Sequence, residues 1–599
     1  MKNLNFAAIH HVPYDEYCHT NSSGEVVLLL RTAKANWDSV TAITFLNYPL
    51  QNNNADERRY AMQQVACDEL YSYYRVQFMP QDPRLQYVFA LQSEDFTFYY
   101  TYDGMQSKES YDGAEEKPFF HLPYAHKAQS KPAWARGSIA YQIFPDRFAR
   151  YGKIEPGMEK WESKEVAFDR IFGGNIKGMI TKVPYLKRLG AKIVYLTPIF
   201  KANTAHRYDT CDYYAIDEVL GTEEDLKNLA DELHKNDMYL VLDGVFNHSG
   251  LGFAPFAEAK EKGEESPFYD WFFWNAKESC VAGYASFAYE EHMPKLNLQN
   301  PACAEFFCEV GKYWVQKCGI DGWRLDVAPE VYPGFWRKFR SEVQSVRQDL
   351  LLVAEIWHDA RFFCARGDMF DATMNYVWSK AVWGLFANKN LSITKFANQI
   401  SKNYVRLPQE VQEVNWNILG SHDTPRFITR AGESVPSLCA AAFFQLTSPG
   451  IPIIYYGDEI GMQGGQDPYC RFPMRWDKVQ DNSILRYYKQ LTHLRNKYEA
   501  LQYGDFQTFL ADDEQGIYAY TRSYGNDTML CIICAKEAGI TKVTIAIPSY
   551  ISKRIFLRDE VSGERFNCAS SVLVLPFQYG RAYCFPISKT LDQLAKEQK

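Results

Sequence analysis

Three separated stretches each set an acidic residue at the end of an apolar run: Gly322-Trp323-Arg324-Leu325-Asp326, Leu352-Val353-Ala354-Glu355 and Leu419-Gly420-Ser421-His422-Asp423. Carboxylates are costly to place beside buried strands, so three in matching positions read more economically as one carboxyl-based site than as three structural accidents. The chemistry that paired acids perform is glycoside cleavage. A retaining glycosidase needs a carboxylate nucleophile and a protonated carboxyl about 5 to 5.5 Å away, flanking the scissile bond. Arg324 stands two residues before Asp326, hence on the same strand face, where its guanidinium favours the ionised form of that acid.

Strand-like runs alternate with amphipathic helical stretches from about Gly137 to Tyr498, the signature of repeated βα units around a parallel sheet. The candidate strands are Ile139 to Phe144, Lys192 to Leu196, Tyr239 to Val245, Gly322 to Val327, Leu350 to Ile356, Ala372 to Tyr376, Trp416 to Leu419 and Ile451 to Tyr456. Segments such as Glu223 to Lys235 and Ala302 to Lys317 carry apolar residues at helical spacing. Eight such units predict an α/β fold, a closed (β/α)8 TIM barrel whose site lies at the carboxyl ends of its strands. The long aromatic interval from Ser249 to about Gln299, after strand three, reads as an inserted small domain over the barrel mouth. Before the barrel, Glu25 to Leu30, Ala42 to Leu46, Tyr73 to Phe78 and Phe96 to Tyr102 alternate as strands of an amino-terminal β-sandwich. After it, Gly516 to Arg522, Thr528 to Cys534, Lys542 to Ile547 and Val572 to Pro576 predict a second all-β domain, and Asp592 to Lys599 a frayed tail. The expected domains are 1–125, 126–504 with the insertion at about 249–299, and 505–599.

At 599 residues the chain exceeds a single compact core. A net charge of −8 provides no basic footprint for nucleic acid. No run of about 18 apolar residues predicts a membrane span, and Met1 to Ser23 lacks the apolar centre of a signal peptide. The 14 cysteines are scattered, without the dense spacing of a secreted disulfide framework, so a cytoplasmic protein is expected. Cys531 and Cys534 make one CxxC pair, but an offset of three within a strand sends the two side chains to opposite faces, which favours a structural reading.

The segments Asp243-Gly244-Val245-Phe246-Asn247-His248, Gly322-Trp323-Arg324-Leu325-Asp326, Glu355-Ile356-Trp357 and Ser421-His422-Asp423 resemble, in order and spacing, those of the α-amylase superfamily of glycoside hydrolases. The likeness extends through Gly190 to Pro198 and Gly450 to Glu459. Met293-Pro294-Lys295-Leu296-Asn297, Leu419 to Arg426 and Gly464 to Arg471 resemble the neopullulanase, cyclomaltodextrinase and maltogenic amylase group within it. The resemblance implies that Asp326 attacks the anomeric carbon, that Glu355 is acid and then base, and that Asp423 holds the distorted ring. It further implies that Tyr208 stacks on the ring being cleaved, that His248 and His422 bind sugar hydroxyls, and that Asp467 and Arg471 grip the next sugar. Trp357 and Glu330 fall on the acceptor side, and Phe287 helps to shape the cleft. The substrates implied are cyclodextrins, maltooligosaccharides and pullulan. In that group the amino-terminal domain commonly joins a partner subunit, so a homodimer is compatible with 1–124.

Each assignment has a blander competitor. Asp326, Glu355 and Asp423 could be a buried ion-pair cluster, Asp243 reads as a structural acid beneath the site, the histidines as satisfied core groups, and Tyr208, Trp357 and Phe287 as packing. Two departures stand out. The stretch from Asp146 to Phe172 lacks the closely spaced oxygens that many relatives use for calcium, so no metal is expected there, and the catalysis requires none. Ala328-Pro329-Glu330 stands where the group usually has Ala-Asn-Glu, which leaves linkage preference and the balance of hydrolysis and transglycosylation open. A predominantly glucan-transferring enzyme and a noncatalytic glucan-binding protein are the alternatives.

Overall fold

A computed structural model describes residues 4–34, 37–47, 57–114, 117–122, 130–275, 282–537, 539–547, 556–568 and 572–588. The expected tail from Asp592 to Lys599 lies outside them. Two compact units are present, one of 1–130 with 360–367 and 394–412, the other of 131–359, 368–393 and 413–599.

The second unit is built on strands that are apolar on both faces, as parallel strands sandwiched between layers must be. They are β1 (Ala140–Ile143), β2 (Ile193–Leu196), β3 (Tyr239–Gly244), β4 (Gly322–Leu325), β5 (Leu351–Ile356), β6 (Ala372–Asn375), β7 (Trp416–Ile418) and β8 (Ile451–Tyr455). All are parallel, in sequence order, and the pairing Ala140↔Ile453 closes the barrel. Helix α1 (Glu223–His234) starts in a reciprocal capping box between Thr222 and Asp225 and buries Leu226, Leu229, Ala230 and Leu233, one stripe at helical spacing. Helix α2 (Pro301–Cys318) is capped by Asn300 and ends at Gly319, whose φ of 67° suits the left-handed stop.

The insertion after β3 contains a helix, Ala254–Lys262, and short antiparallel bridges, of which His248↔Lys295 ties it to the end of β3. Phe256, Phe272, Trp274 and Tyr284 pack together as its small aromatic core. Beyond the barrel, strands Asp505–Asp512, Ile517–Tyr524, Asp527–Cys534 and Ala582–Ser588 form an antiparallel sheet, with smaller strand pairs sharing its core. Cys534 points into that core, while Cys531 faces Cys584 across the sheet with sulfurs 3.8 Å apart, so the CxxC residues do lie on opposite faces.

In the first unit a four-stranded and a six-stranded sheet enclose Leu28, Leu30, Tyr74, Ala42, Phe89 and Leu91. Strand Leu85–Ser93 is absent from the expected set because it is buried along nearly its whole length and shows no alternation. The stretches 360–367 and 394–412 pack here through Arg361–Glu16 at 2.7 Å and the Ser22 N–H donating to Glu410 at 2.8 Å, contacts too distant in sequence to read from it.

Candidate active site

Asp326 is the first residue beyond β4. Since Leu325 pairs with Ala354, Asp326 falls beside Glu355 on the neighbouring strand, about 4.8 Å away in backbone spacing. The chain then turns sharply. Val327 has φ 44°, a left-handed conformation that a β-branched residue adopts only under constraint, and its N–H donates to Glu355 Oε2 at 3.0 Å. Arg324, 0% exposed, spans three acids: Nη1 lies 2.9 Å from Asp243 Oδ1 and 2.7 Å from Asp326 Oδ1, and Nη2 lies 2.9 Å from Glu355 Oε2. The indole Nε1–H of Trp357 donates to Glu355 Oε1 at 2.9 Å, and that ring lies flat on Tyr376, centroids 3.8 Å apart. Asp423 sits in the loop after β7, five residues past the strand rather than at its end. Arg471 at 3.3 Å holds it there, and His422 Nε2 lies 3.1 Å from its carboxylate.

Burial is the main electrostatic fact. It pushes the carboxyl of Asp326 well above the usual range against the pull of Arg324, with Glu355 and Asp243 adding to the rise. Asp243 is raised to about 6 by the same burial, opposed by Arg324 and by the Tyr195 hydroxyl at 2.6 Å. Asp423 is raised by burial, opposed by Arg471 and Arg324. Arg324 therefore limits a rise that it does not cancel. Buried histidines shift the other way: His248 and His206 fall to about 3 and His422 well below its ordinary value, so all three act as neutral hydrogen-bonding groups at neutral pH. The Gln142 amide donates to His422 Nδ1 at 2.7 Å. Nε2 then carries the proton and donates to the Tyr208 hydroxyl, which in turn donates to Asp243 Oδ2 at 3.0 Å. This chain positions the Tyr208 ring, which lies parallel to His422 at 5.4 Å between centroids.

The carboxyls open into a cavity of about 830 Å³ walled by Tyr208, His248, Phe287, Asp326, Pro329, Glu330, Glu355, Trp357, Asp423, Asp467 and Arg471. Of the residues expected at the site, Arg324 and His422 are not in this wall. Both are 0% exposed, and the partners just described engage them from beneath. Phe287 lies on His248, ring centroids 4.9 Å apart, in a turn whose next two residues, Ala288 and Tyr289, have φ of 49° and 64°. Asp467 meets Arg471 at 3.3 Å. Lys295 donates to the carbonyl of Glu330 at 3.0 Å and to Asn247 Oδ1, and its ion pair with the Glu330 carboxylate is 3.6 Å. The insertion thus grips the turn containing Pro329.

Sequence reasoning missed several wall residues, among them Phe168, Thr204, His206, His292 and His358. His206 was within reach of it, being two residues from Tyr208, whose backbone N–H donates to His206 Nδ1 at 3.1 Å. Phe168 carries no signal, because it arrives from the long loop after β1. In that loop Asp146 is paired with Arg147 at 2.6 Å and accepts the N–H groups of Phe172 and Gly173. Among the described residues no three His, Cys, Asp or Glu converge as a metal-ligating set. Among them, too, no helix is long and apolar enough to cross a membrane.

Comparison with known proteins agrees with this architecture. Residues 142–482 match the α-amylase catalytic domain, and residues 4–126 match the α-amylase amino-terminal Ig-like domain. The chain is 39% identical to a maltogenic α-amylase of Bacillus acidopullulyticus, over 88% of this chain and 91% of that one. It is 36% identical to a cyclomaltodextrinase of Geobacillus thermopakistaniensis, over 94% and 96% of the two chains. A solved cyclomaltodextrinase superposes with a TM-score of 0.88 at 32% identity, covering 98% of this chain and all of that one. The chain belongs to the α-amylase family of glycoside hydrolases.

Proposed function

We propose that the chain is a retaining α-glucan hydrolase, cleaving α-1,4 and also α-1,6 glucosidic bonds of cyclodextrins, maltooligosaccharides and pullulan. The observation that carries this reading is the single Arg324 guanidinium spanning Asp326 and Glu355 at the ends of adjacent strands. Neighbouring strand positions permit the roughly 5 to 5.5 Å separation of a nucleophile and an acid/base pair. Asp326 attacks the anomeric carbon as Glu355 gives a proton to the leaving oxygen, and Glu355 then takes the proton of the incoming water. Asp423, held by Arg471, hydrogen-bonds the distorted ring, and Tyr208 forms the floor on which that ring stacks. Asp467 and Arg471 grip the next sugar, and Trp357, Glu330 and Phe287 shape the acceptor side. No metal takes part, and the Asp146 loop holds no calcium.

Transfer to a sugar instead of water is the second reading. Trp357, 37% exposed beside Glu355, offers an acceptor ring a flat apolar face. A homodimer through the amino-terminal domain and a cytoplasmic location complete the proposal. The location is supported by the cysteines, which are free thiols among the described residues.

Product analysis with γ-cyclodextrin, pullulan, maltotriose and soluble starch, each beside Glu355→Gln, tests this. Ring opening, release of panose or maltose and slow attack on starch support the reading. Preferred attack on starch overturns the substrate assignment, longer products from maltotriose favour transfer, and turnover that survives Glu355→Gln removes the enzymatic reading.

A further inference from the structure

Beyond Asp467 and Arg471 the cavity wall continues through Phe168, Thr204 and His206. Phe168 is 49% exposed and reaches this wall from the irregular loop after β1, at a turn in which the Arg170 N–H donates to the Ala167 carbonyl at 3.4 Å. That turn is fastened on several sides. The Arg170 side chain meets Glu159 at 3.1 Å and Glu165 at 2.9 Å, and the Glu159 N–H donates to the Ile171 carbonyl at 2.7 Å, closing the base of the loop. Buried Arg147 donates from Nη2 to the Arg170 carbonyl at 2.7 Å and from Nη1 to the Arg471 carbonyl at 3.0 Å. One guanidinium, with its donors in a rigid fork, thus fixes the turn that carries Phe168 against the turn that carries Arg471.

The relation of Phe168 to Arg471 decides what the ring does there. The Arg471 guanidinium meets Asp423 and Asp467 at 3.3 Å each and lies over the Phe168 ring, 5.8 Å from its centroid. His206 stands nearly perpendicular to that ring, centroids 6.3 Å apart. The face turned to Arg471 is therefore taken by a cation and closed to a sugar. What Phe168 presents to a chain continuing past Arg471 is apolar carbon, against which sugar hydroxyls lose water and gain no partner. We propose that Phe168 is a specificity-determining residue that closes the donor side one sugar beyond the ring being cleaved, so that a longer chain must bend away from the cleft at that point. The inference rests on the reading that Asp467 and Arg471 grip the sugar next to the cleaved one. A cyclodextrin enters already curved, whereas a linear chain loses conformational freedom in being bent.

The test is the position of cleavage in maltohexaose carrying a fluorescent label at its reducing end. The parent is expected to cut chiefly at the second bond from the other end, leaving labelled maltotetraose as the first product. In Phe168→Ala the ratio of labelled maltotriose to labelled maltotetraose should rise by about tenfold, the discrimination that a close-fitting apolar wall supplies. This ratio is internal to one substrate, so partial loss of folded enzyme does not move it. Phe168→Tyr keeps the ring and should keep the parent ratio. The kcat/KM for γ-cyclodextrin relative to maltohexaose should fall in Phe168→Ala, since only the linear chain gains space. A parent that releases three sugars as readily as two, a ratio unmoved in Phe168→Ala, or a γ-cyclodextrin preference that does not fall overturns the inference. So does a selective loss in Phe168→Ala of cuts that place three or more sugars on the donor side, which would make the ring a stacking platform. Asp467→Ala alongside separates the two claims. An unchanged KM there removes the donor-side reading itself, whereas a raised KM with an unmoved Phe168→Ala ratio removes only the role of Phe168.

Discussion

Replacing Arg324 by Met would strand Asp243, Asp326 and Glu355 around an apolar side chain. The guanidinium is 0% exposed, and all three acids lie within 2.7 to 2.9 Å of it. Removing one partner of a buried ion pair costs about 3 to 5 kcal/mol, because the remaining charge is left without solvent or counterion. Asp243 and Asp326, already raised by burial, respond by holding their protons more tightly. A carboxyl whose folded value exceeds its unfolded value lends stability below the unfolded value and loses it as pH rises through the folded one. The deficit in Arg324→Met should therefore be small near pH 5, below the value of about 6 for Asp243, and full at pH 8. Unfolding entropy scales with length, so a unit of several hundred residues moves by about 1 °C per kcal/mol, which predicts a loss of about 3 to 5 °C at pH 8. Thermal melts of Arg324→Met, Asp243→Asn and the double variant at both pH values provide the assay. The double variant should recover part of the loss, since it removes one stranded charge. An equal loss at pH 5 and pH 8, a loss under about 1 °C at pH 8, or strict additivity in the double variant would refute the stranded-charge reasoning.

Three shorter predictions follow from neighbouring contacts. Tyr208→Phe keeps the ring but removes the link between His422 and Asp243, and should lower kcat/KM by about tenfold or more, as losing a hydrogen bond to a charged group does; an unchanged value would reduce the hydroxyl to a bystander. Lys295→Met frees the carbonyl of Glu330 and the turn holding Pro329, so the ratio of transfer to hydrolysis products from maltotriose should change by about twofold or more while kcat falls less, and an unaltered chromatogram would show that Lys295 does not shape the acceptor side. His234, raised above its ordinary value chiefly by its hydrogen bond to Asp321 at 2.8 Å, lends stability that is complete below pH 6.5 and lost as pH rises through its folded value. His234→Gln should thus melt below the parent at pH 6 and close to it at pH 9, and a gap equal at both would contradict the pairing.

Much of this site was legible because barrel geometry is written in short apolar runs. Val353-Ala354-Glu355 and Trp323-Arg324-Leu325-Asp326 place their acids by strand position alone, and the register Leu325↔Ala354 brings them side by side. Tyr208, Phe287 and Asp467 were legible only through motif resemblance, since each stands on a loop whose path no periodicity fixes. Phe168 and His358 were not legible, because a wall residue is defined by what it faces. The long strand Leu85–Ser93 was passed over for a related reason, as burial on both faces erases alternation.

The sequence by itself determined the barrel, its flanking β domains, the family and the three acids, because these follow from local periodicity and from residue types at fixed spacing. Only the tertiary structure decided the burial that raises Asp326 and Asp423 and the partners that hold the three acids. One guanidinium shared by three carboxyls, an indole N–H on Glu355, and a hydrogen-bonded line from Gln142 through His422 and Tyr208 to Asp243 join residues separated by up to 280 positions. Burial, which moves Asp326 up and the histidines down, is set by everything packed around a group and so has no counterpart in the order of its neighbours along the chain.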